Sequence, residues 1–338
     1  MNNDSVVKDY FDLGNMPIKT YKNRYPNPVF LPKLVDLGLG IEVEVENVLG
    51  YSSEGSLWQS KEDSSLRNNG REFVTAAIQS QYAMDLLLDL KKRLNKDISF
   101  SPRTSIHVHV NCLNLTQDTI TKLLLKYLVL ERDVFNWVGR AREKSIYCVP
   151  MLDSFHAQYN LFKDKILGGD WYKYQALNLL SLQTLGTVEF RHMYGTLDEN
   201  TLSAWIGIIC ELFNSVINRE ESVSELKDRI CSLNSTSAYI QFYRDTLGPL
   251  GDVLYTGWEN PSEGVRYIKS TYGNNPNLEK NSKYFLHHLN GINKRGLQKA
   301  APVFFGPPGE NLPNGWQIDT AILEAININA DTDQPPQF

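Results

Sequence analysis

The chain has 338 residues, with Lys+Arg 34 against Asp+Glu 39, a formal charge of −5 and 42% hydrophobic residues. This is the make-up of a soluble globular protein with one large domain and appendages. A weakly acidic chain without runs of Lys or Arg lacks the electrostatic footprint that bulk nucleic acid or an anionic membrane requires. The most apolar stretches, 123–130 and 206–213, are interrupted by Lys126 and Glu211 and are too short to span a bilayer. The first 40 residues have no apolar signal-peptide core. Cys112, Cys148, Cys210 and Cys231 form no C-x-x-C pair, so reduced thiols and a cytoplasmic location are expected.

In chain order, residues 1–36 carry prolines and little periodicity and read as an extended N-terminal arm. Short alternating segments and long helical ones then interleave. The pattern predicts strand 39–46, strand 71–75, helix 76–94, strand 105–111, helix 116–139, strand 185–193 and helix 198–218. That is an α+β pattern, with helices packed on one face of a mainly antiparallel sheet. Gly38-Leu39-Gly40 reads as a turn into the first strand, and Thr116 or Asp118 is placed to cap the helix that follows. Residues 222–246 look helical. Residues 247–316 are rich in Gly, Pro and Asn, an irregular elaboration with one or two short helices suited to a lid or substrate wall. The expected division is the arm 1–36, a main domain 37–220, a helical and loop-rich C-terminal elaboration 221–328 and a frayed tail 329–338.

The informative feature is what alternation does to the polar residues of the strands. In Ile41-Glu42-Val43-Glu44-Val45-Glu46 three carboxylates share one face, because strand side chains alternate with period two. In Ile106-His107-Val108-His109-Val110 two imidazoles share a face, and in Val188-Glu189-Phe190-Arg191 a carboxylate and a guanidinium do. Glu72 shares its face with Val74. For any one strand, a solvated sheet face explains such a pattern. Together, Glu and His without the usual Lys, Thr, Ser and Gln are ligand types for a divalent cation. If Glu42, Glu44, Glu72 and Glu189 converge, their repulsion calls for a cation such as Mg²⁺ or Mn²⁺. Arg191 beside them suits bidentate contact with a phosphate, so cluster and arginine together suggest phosphoryl chemistry. There is no G-x-x-x-x-G-K-[ST] loop, G-x-G-x-x-G, H-E-x-x-H or G-x-S-x-G.

The ordered blocks Gly40-Ile41-Glu42-Val43-Glu44, Asp63-Ser64-Ser65-Leu66 with Gly70-Arg71-Glu72-Phe73-Val74, His107-Val108-His109-Val110-Asn111, Ala176-Leu177-Asn178-Leu179, and Thr187-Val188-Glu189-Phe190-Arg191 with Gly195-Thr196-Leu197-Asp198 resemble the amidoligase family. That family is a branch of the glutamine synthetase and glutamate–cysteine ligase fold, and the blocks cover about half the chain. The resemblance implies a glutamine synthetase-like catalytic domain whose curved sheet forms a half-open funnel. It also implies an ATP-dependent carboxylate–amine ligase with carboxylate and amine substrates, working through an acyl phosphate with two divalent metals. On this resemblance, Glu44, Asp63 and Glu72 would hold one metal and Glu42, His107 and Glu189 a second. His109 would sit near the nucleotide phosphates, Arg191 would stabilise the transferring phosphoryl group, and Glu72, Glu189 and Arg191 would be the catalytic set.

Two departures qualify it. The arm is too short for the separate amino-terminal domain with which glutamine synthetase completes a neighbour's site, so ring assembly is not implied. The block at Glu72 also ends in Thr75-Ala76 where Ser-Pro is common in the family.

Arg140 and Arg142 follow the long helix and are candidates for phosphate or substrate carboxylate, although a helix carboxyl end attracts cations anyway. Asn178 and Asn111 are candidates for orienting substrate, with a buried Asn that satisfies backbone groups as the alternative for Asn178. His287 and His288 read as structural, Gly306-Pro307-Pro308-Gly309 as a plain turn, and Cys112 as a buried thiol with no partner base. Besides the ligase, the residues leave open a metal-dependent hydrolase using the same Glu/His cluster and a non-catalytic nucleotide- or metal-binding relative. Substrate specificity is expected in 143–175 and 247–316.

Overall fold

A computed structural model describes residues 5–28, 37–154, 157, 160–161, 164–255 and 262–272. Seven strands form one unclosed sheet: β1 (Gly38–Val45), β2 (Trp58–Glu62), β3 (Arg71–Thr75), β4 (Ile78–Gln79), β5 (Ser105–Asn111), β6 (Leu177–Asn178) and β7 (Thr187–Tyr194). Their order is β2-β3-β1-β5-β7-β6, with β4 beside β1, and every pairing is antiparallel. The α+β class read from the sequence is therefore the observed one.

Alternation does what the sequence leads one to expect. Ile41 and Val43 of β1, Phe73 of β3, Ile106, Val108 and Val110 of β5, and Val188 and Phe190 of β7 are buried in one apolar cluster with the helices Ala83–Arg93, Gln117–Val138 and Glu199–Ile217. The Gln117–Val138 helix starts where Thr116 accepts a hydrogen bond from the Thr119 amide, and the Glu199–Ile217 helix where Asp198 does the same for Thr201. By length and composition the Glu199–Ile217 helix could cross a membrane, but 61% of that window is buried inside the protein. The sequence reading sets this stretch aside because Glu211 interrupts it; the fold uses it as a core helix.

Several boundaries differ from expectation, each for a tertiary reason. Residues 76–94 are not one helix. The Lys19 amide donates to the Ala77 carbonyl and the Gln79 amide to the Lys19 carbonyl, while β4 pairs with β1, so the helix proper begins only at Ala83. Gly38 and Gly40 lie inside β1 and do not form a turn; a Cβ at Gly38 would stand 3.0 Å from Ile18 Cγ1, so the missing side chain lets the arm pack closely. Residues 222–246 split into Val223–Cys231, entered through a Ser222/Glu225 capping box, and Thr236–Leu247, capped by Ser235. Of 247–316, the described part holds the helices Leu250–Leu254 and Glu263–Tyr272, the latter packed on Gln117–Val138 and Val223–Cys231. His287, His288, the 306–309 turn and the tail 329–338 lie outside the described residues.

A buried acidic and imidazole face

The polar face of the sheet is not a wet one. His107 is 3% exposed, Glu189 4%, and Glu44, His109 and Arg191 are also buried. Register brings the four predicted strands' polar residues together: Glu42 pairs with His107, Glu44 with Glu72, His109 with Glu189, and Glu189 in turn with Asn178. Glu42, His107 and Glu189 each offer one ligand atom, all within 4.8 Å of one another. His107 Nδ1 is 3.1 Å from Glu42 Oε2 and 3.4 Å from Glu189 Oε1.

Ser105 decides which way the His107 ring is protonated. Its amide and its hydroxyl both donate to Glu44 Oε2, at 2.7 and 2.6 Å. The single hydroxyl proton is then used, so His107 Nε2, 2.8 Å from Ser105 Oγ, must be the donor to that oxygen. In the neutral ring, Nδ1 then presents a lone pair towards two carboxylates. A lone pair and two anions converging is the arrangement a divalent cation fits, and the Glu44–Ser105 pair is the outer support that metal-bound histidines commonly have. Without a cation, only a proton on Nδ1 can relieve the contact.

Electrostatics point the same way. With a proton on His107 Nδ1 in a cation's place, burial still opposes ionisation of Glu42, but the hydrogen bond from His107, the contact with His109 and the charges of both rings hold its carboxyl well below the usual range. Glu189 is likewise low: burial works against the charge, and Arg191 first, then His107 and His109, outweigh it. Glu72 moves the other way, up to about 7, through burial and then the neighbouring Glu42. His109 is held above its ordinary value because Glu42 and Glu189 outweigh its burial. Its Nδ1 meets Thr187 Oγ1 at 3.0 Å, and its Nε2 lies 3.3 Å from Glu42 Oε1 without hydrogen-bond alignment.

Arg191 Nη1 donates to Glu189 Oε1, Asn178 Nδ2 donates to Glu189 Oε2 at 2.6 Å, and Arg191 Nε reaches the Tyr147 carbonyl at 3.2 Å. The face continues into a cleft lined by Gly40, Glu42, Thr75, His109, Asn111 and Thr187, with Met16 of the arm and Leu185 among its apolar walls.

The remaining predicted residues fall elsewhere or take other partners. Asp63 caps a turn through the Ser65 amide at 2.8 Å. Among the described residues, Glu44, Asp63 and Glu72 do not gather as the first trio does. Glu46, predicted on the acidic face, lies beyond the end of β1 and accepts from the Arg67 amide. Asn111 accepts from the Leu113 amide while lining the cleft. Arg142 is buried and donates to main-chain carbonyls; Arg140 begins the short Arg140–Glu143 helix. Burial pushes the Cys112 thiol far up, as an inert cysteine requires. Ser105, Thr187 and Tyr147 were not singled out from the sequence. For Ser105 the signal was there, since it precedes His107 and His109 in the same alternation.

An open antiparallel sheet with a buried Glu/His face backed by arginine is the class that fold and site define. Residues 51–212 match the family model described as putative amidoligase enzyme, the family the motifs resemble. Glu42 and Glu44 precede the matched segment but are tied to it through β1. No curated protein matches the chain.

Proposed function

We propose that this protein is an ATP-dependent carboxylate–amine ligase with a glutamine synthetase-like catalytic domain at 37–220, the division expected from the sequence. The observation that carries the reading is the convergence of Glu42, His107 and Glu189 on one buried sheet face with Arg191 beside them, in a chain whose residues 51–212 match a family named for amide-forming ligases.

A carboxylate is a poor electrophile, and ATP with Mg²⁺ or Mn²⁺ would supply the activating phosphoryl group and the charge neutralisation. Glu42, His107 and Glu189 would hold one cation. Glu44 and Glu72, adjacent on the same face, would serve a second, and Asp63 would have to leave its turn to join them. In the first step the substrate carboxylate oxygen attacks the γ-phosphorus and ADP leaves. In the second the amine nitrogen attacks the acyl carbon, phosphate leaves with the bonding pair, and the nitrogen gives up a proton.

In this chain, Arg191 and His109 would meet the charge that gathers on the phosphoryl oxygens. Glu189, fixed by Arg191 and Asn178, keeps its ligand oxygen in place. The cleft beside Asn111 and Thr187 would seat substrate away from water, which would otherwise hydrolyse the acyl phosphate. The test is ADP release with paired carboxylate and amine substrates. Turnover should need both substrates and a divalent cation, and should vanish in Glu189→Ala and Arg191→Ala. Substrate hydrolysis without ATP would favour a metal-dependent hydrolase.

A further inference from the structure

β7 contains an irregularity that alternation does not reveal. It pairs with β5 as Val108 to Phe190 and then as Ile106 to Met193. One residue of β5, His107, therefore faces two of β7, Arg191 and His192. This is a β-bulge, which adds twist and re-aims a side chain. Its effect is visible in burial: Phe190, His192 and Met193 all enter the core, at 2%, 0% and 0% exposure, while Arg191 stays on the cluster face.

A bulge interrupts the ladder, and here its two carbonyls are taken by one guanidinium. Arg142 Nε donates to the His192 carbonyl at 2.9 Å and Nη2 to the Arg191 carbonyl at 2.7 Å. Arg142 is itself 6% exposed, and burying a guanidinium is costly unless its donors are used. The neighbouring bulge residue is fixed from the core: Tyr127 Oη and His192 Nε2 are 2.7 Å apart, and Tyr127 Oη donates to Glu131 Oε1. The amide of Arg191 donates to the Ala176 carbonyl.

We propose that Arg142 is a positioning residue, whose guanidinium clamps the carbonyls of the Arg191–His192 bulge and so aims the Arg191 side chain at Glu189 and the cluster. The inference rests on the ligase reading for the purpose of Arg191, but the aiming itself is independent of it. It gives Arg142 a role different from contact with phosphate or substrate carboxylate: one of its donors is spent on the carbonyl of the arginine that faces the site and another on the carbonyl of the next bulge residue.

The experiment uses the full chain with Arg142→Met and Arg142→Lys, each alone and with Arg191→Met. The first readout is the ¹⁵N–¹H resonance of Arg191 Nε, assigned by its loss in Arg191→Met. It should shift or broaden in Arg142→Met and recover in part in Arg142→Lys, which keeps one charged donor. The second is Mn²⁺·ATP affinity by calorimetry, expected to fall about tenfold in Arg142→Met, the scale of lost outer support, with no further fall when Arg191 is already Met. Equal losses in both backgrounds, or an unmoved Arg191 resonance, would overturn the proposal. If the wild type binds no Mn²⁺·ATP, the ligase reading fails while the resonance still judges the clamp. Should Arg142→Met not fold, Arg142→Lys carries the same comparison.

Discussion

Ser105→Ala removes one hydroxyl and tests whether the Glu44–Ser105–His107 chain orients a metal ligand. The hydroxyl gives a 2.6 Å bond to the Glu44 carboxylate and accepts one at 2.8 Å from the His107 ring. The Ser105 amide still donates to Glu44 Oε2 at 2.7 Å, so Glu44 keeps a partner and the strand keeps its register. What is lost is the charge-assisted bond to Glu44, about 1.5–3 kcal/mol, together with the bond from His107 Nε2 that fixes the tautomer. Mn²⁺ affinity should therefore fall about 10- to 100-fold, equivalent to about 1.4–2.7 kcal/mol. Isothermal titration of wild type and variant with Mn²⁺ measures it, and Ser105→Thr, which retains the hydroxyl, should lie nearer wild type. Unchanged Mn²⁺ affinity in Ser105→Ala would refute the tautomer argument and with it the assignment of His107 Nδ1 as a ligand atom.

Arg191→Ala leaves Glu189 buried without its strongest counter-charge, so the cation-free protein should lose about 3–5 kcal/mol in urea unfolding, and Mn²⁺ should restore a larger share of stability to the variant than it adds to wild type. Glu131, fully buried in the core, is raised to about 7 by burial despite donation from the Met151 and Leu152 amides. A carboxyl raised on folding has no effect where both states are protonated and costs stability as pH climbs through the folded value, by about 3 kcal/mol once complete. The difference in unfolding free energy between wild type and Glu131→Gln should accordingly change between pH 5 and pH 8, with wild type losing ground, and a flat difference would contradict it. Iodoacetamide at neutral pH should leave Cys112 unlabelled in the native protein and label the half-buried Cys231 first, as peptide mapping would show.

What was legible in the sequence was whatever a two-residue period writes plainly. β1, β5 and β7 alternate strongly and β3 more weakly, and Glu42, Glu44, Glu72, His107, His109 and Glu189 do share the face that the alternation assigns. β2 was not legible, because Trp58-Gln59-Ser60-Lys61-Glu62 is a largely exposed edge strand with little to bury on either side. β4 and β6 are two residues each and are strands only because β1 and β7 supply partners. The bulge at Arg191 and His192 is invisible to periodicity, since an inserted residue looks like an ordinary neighbour until the pairing is known. For the candidate site, the Glu42, His107 and Glu189 trio follows from register. The turn that holds Asp63 and the loop that brings the Tyr147 carbonyl to Arg191 depend on long-range packing that no local pattern encodes.

The central claim is that Glu42, His107 and Glu189 form a cation site that works with ATP. Thermal unfolding with Mg²⁺·ATP, with Mg²⁺ alone and with neither, in wild type and Glu189→Ala, tests it most directly. Ligand at a hundred times its Kd adds about 2.7 kcal/mol to the native state. Mg²⁺·ATP should stabilise wild type beyond Mg²⁺ alone and should not stabilise the variant. An equal Mg²⁺·ATP shift in both proteins, or no shift in wild type, would contradict it.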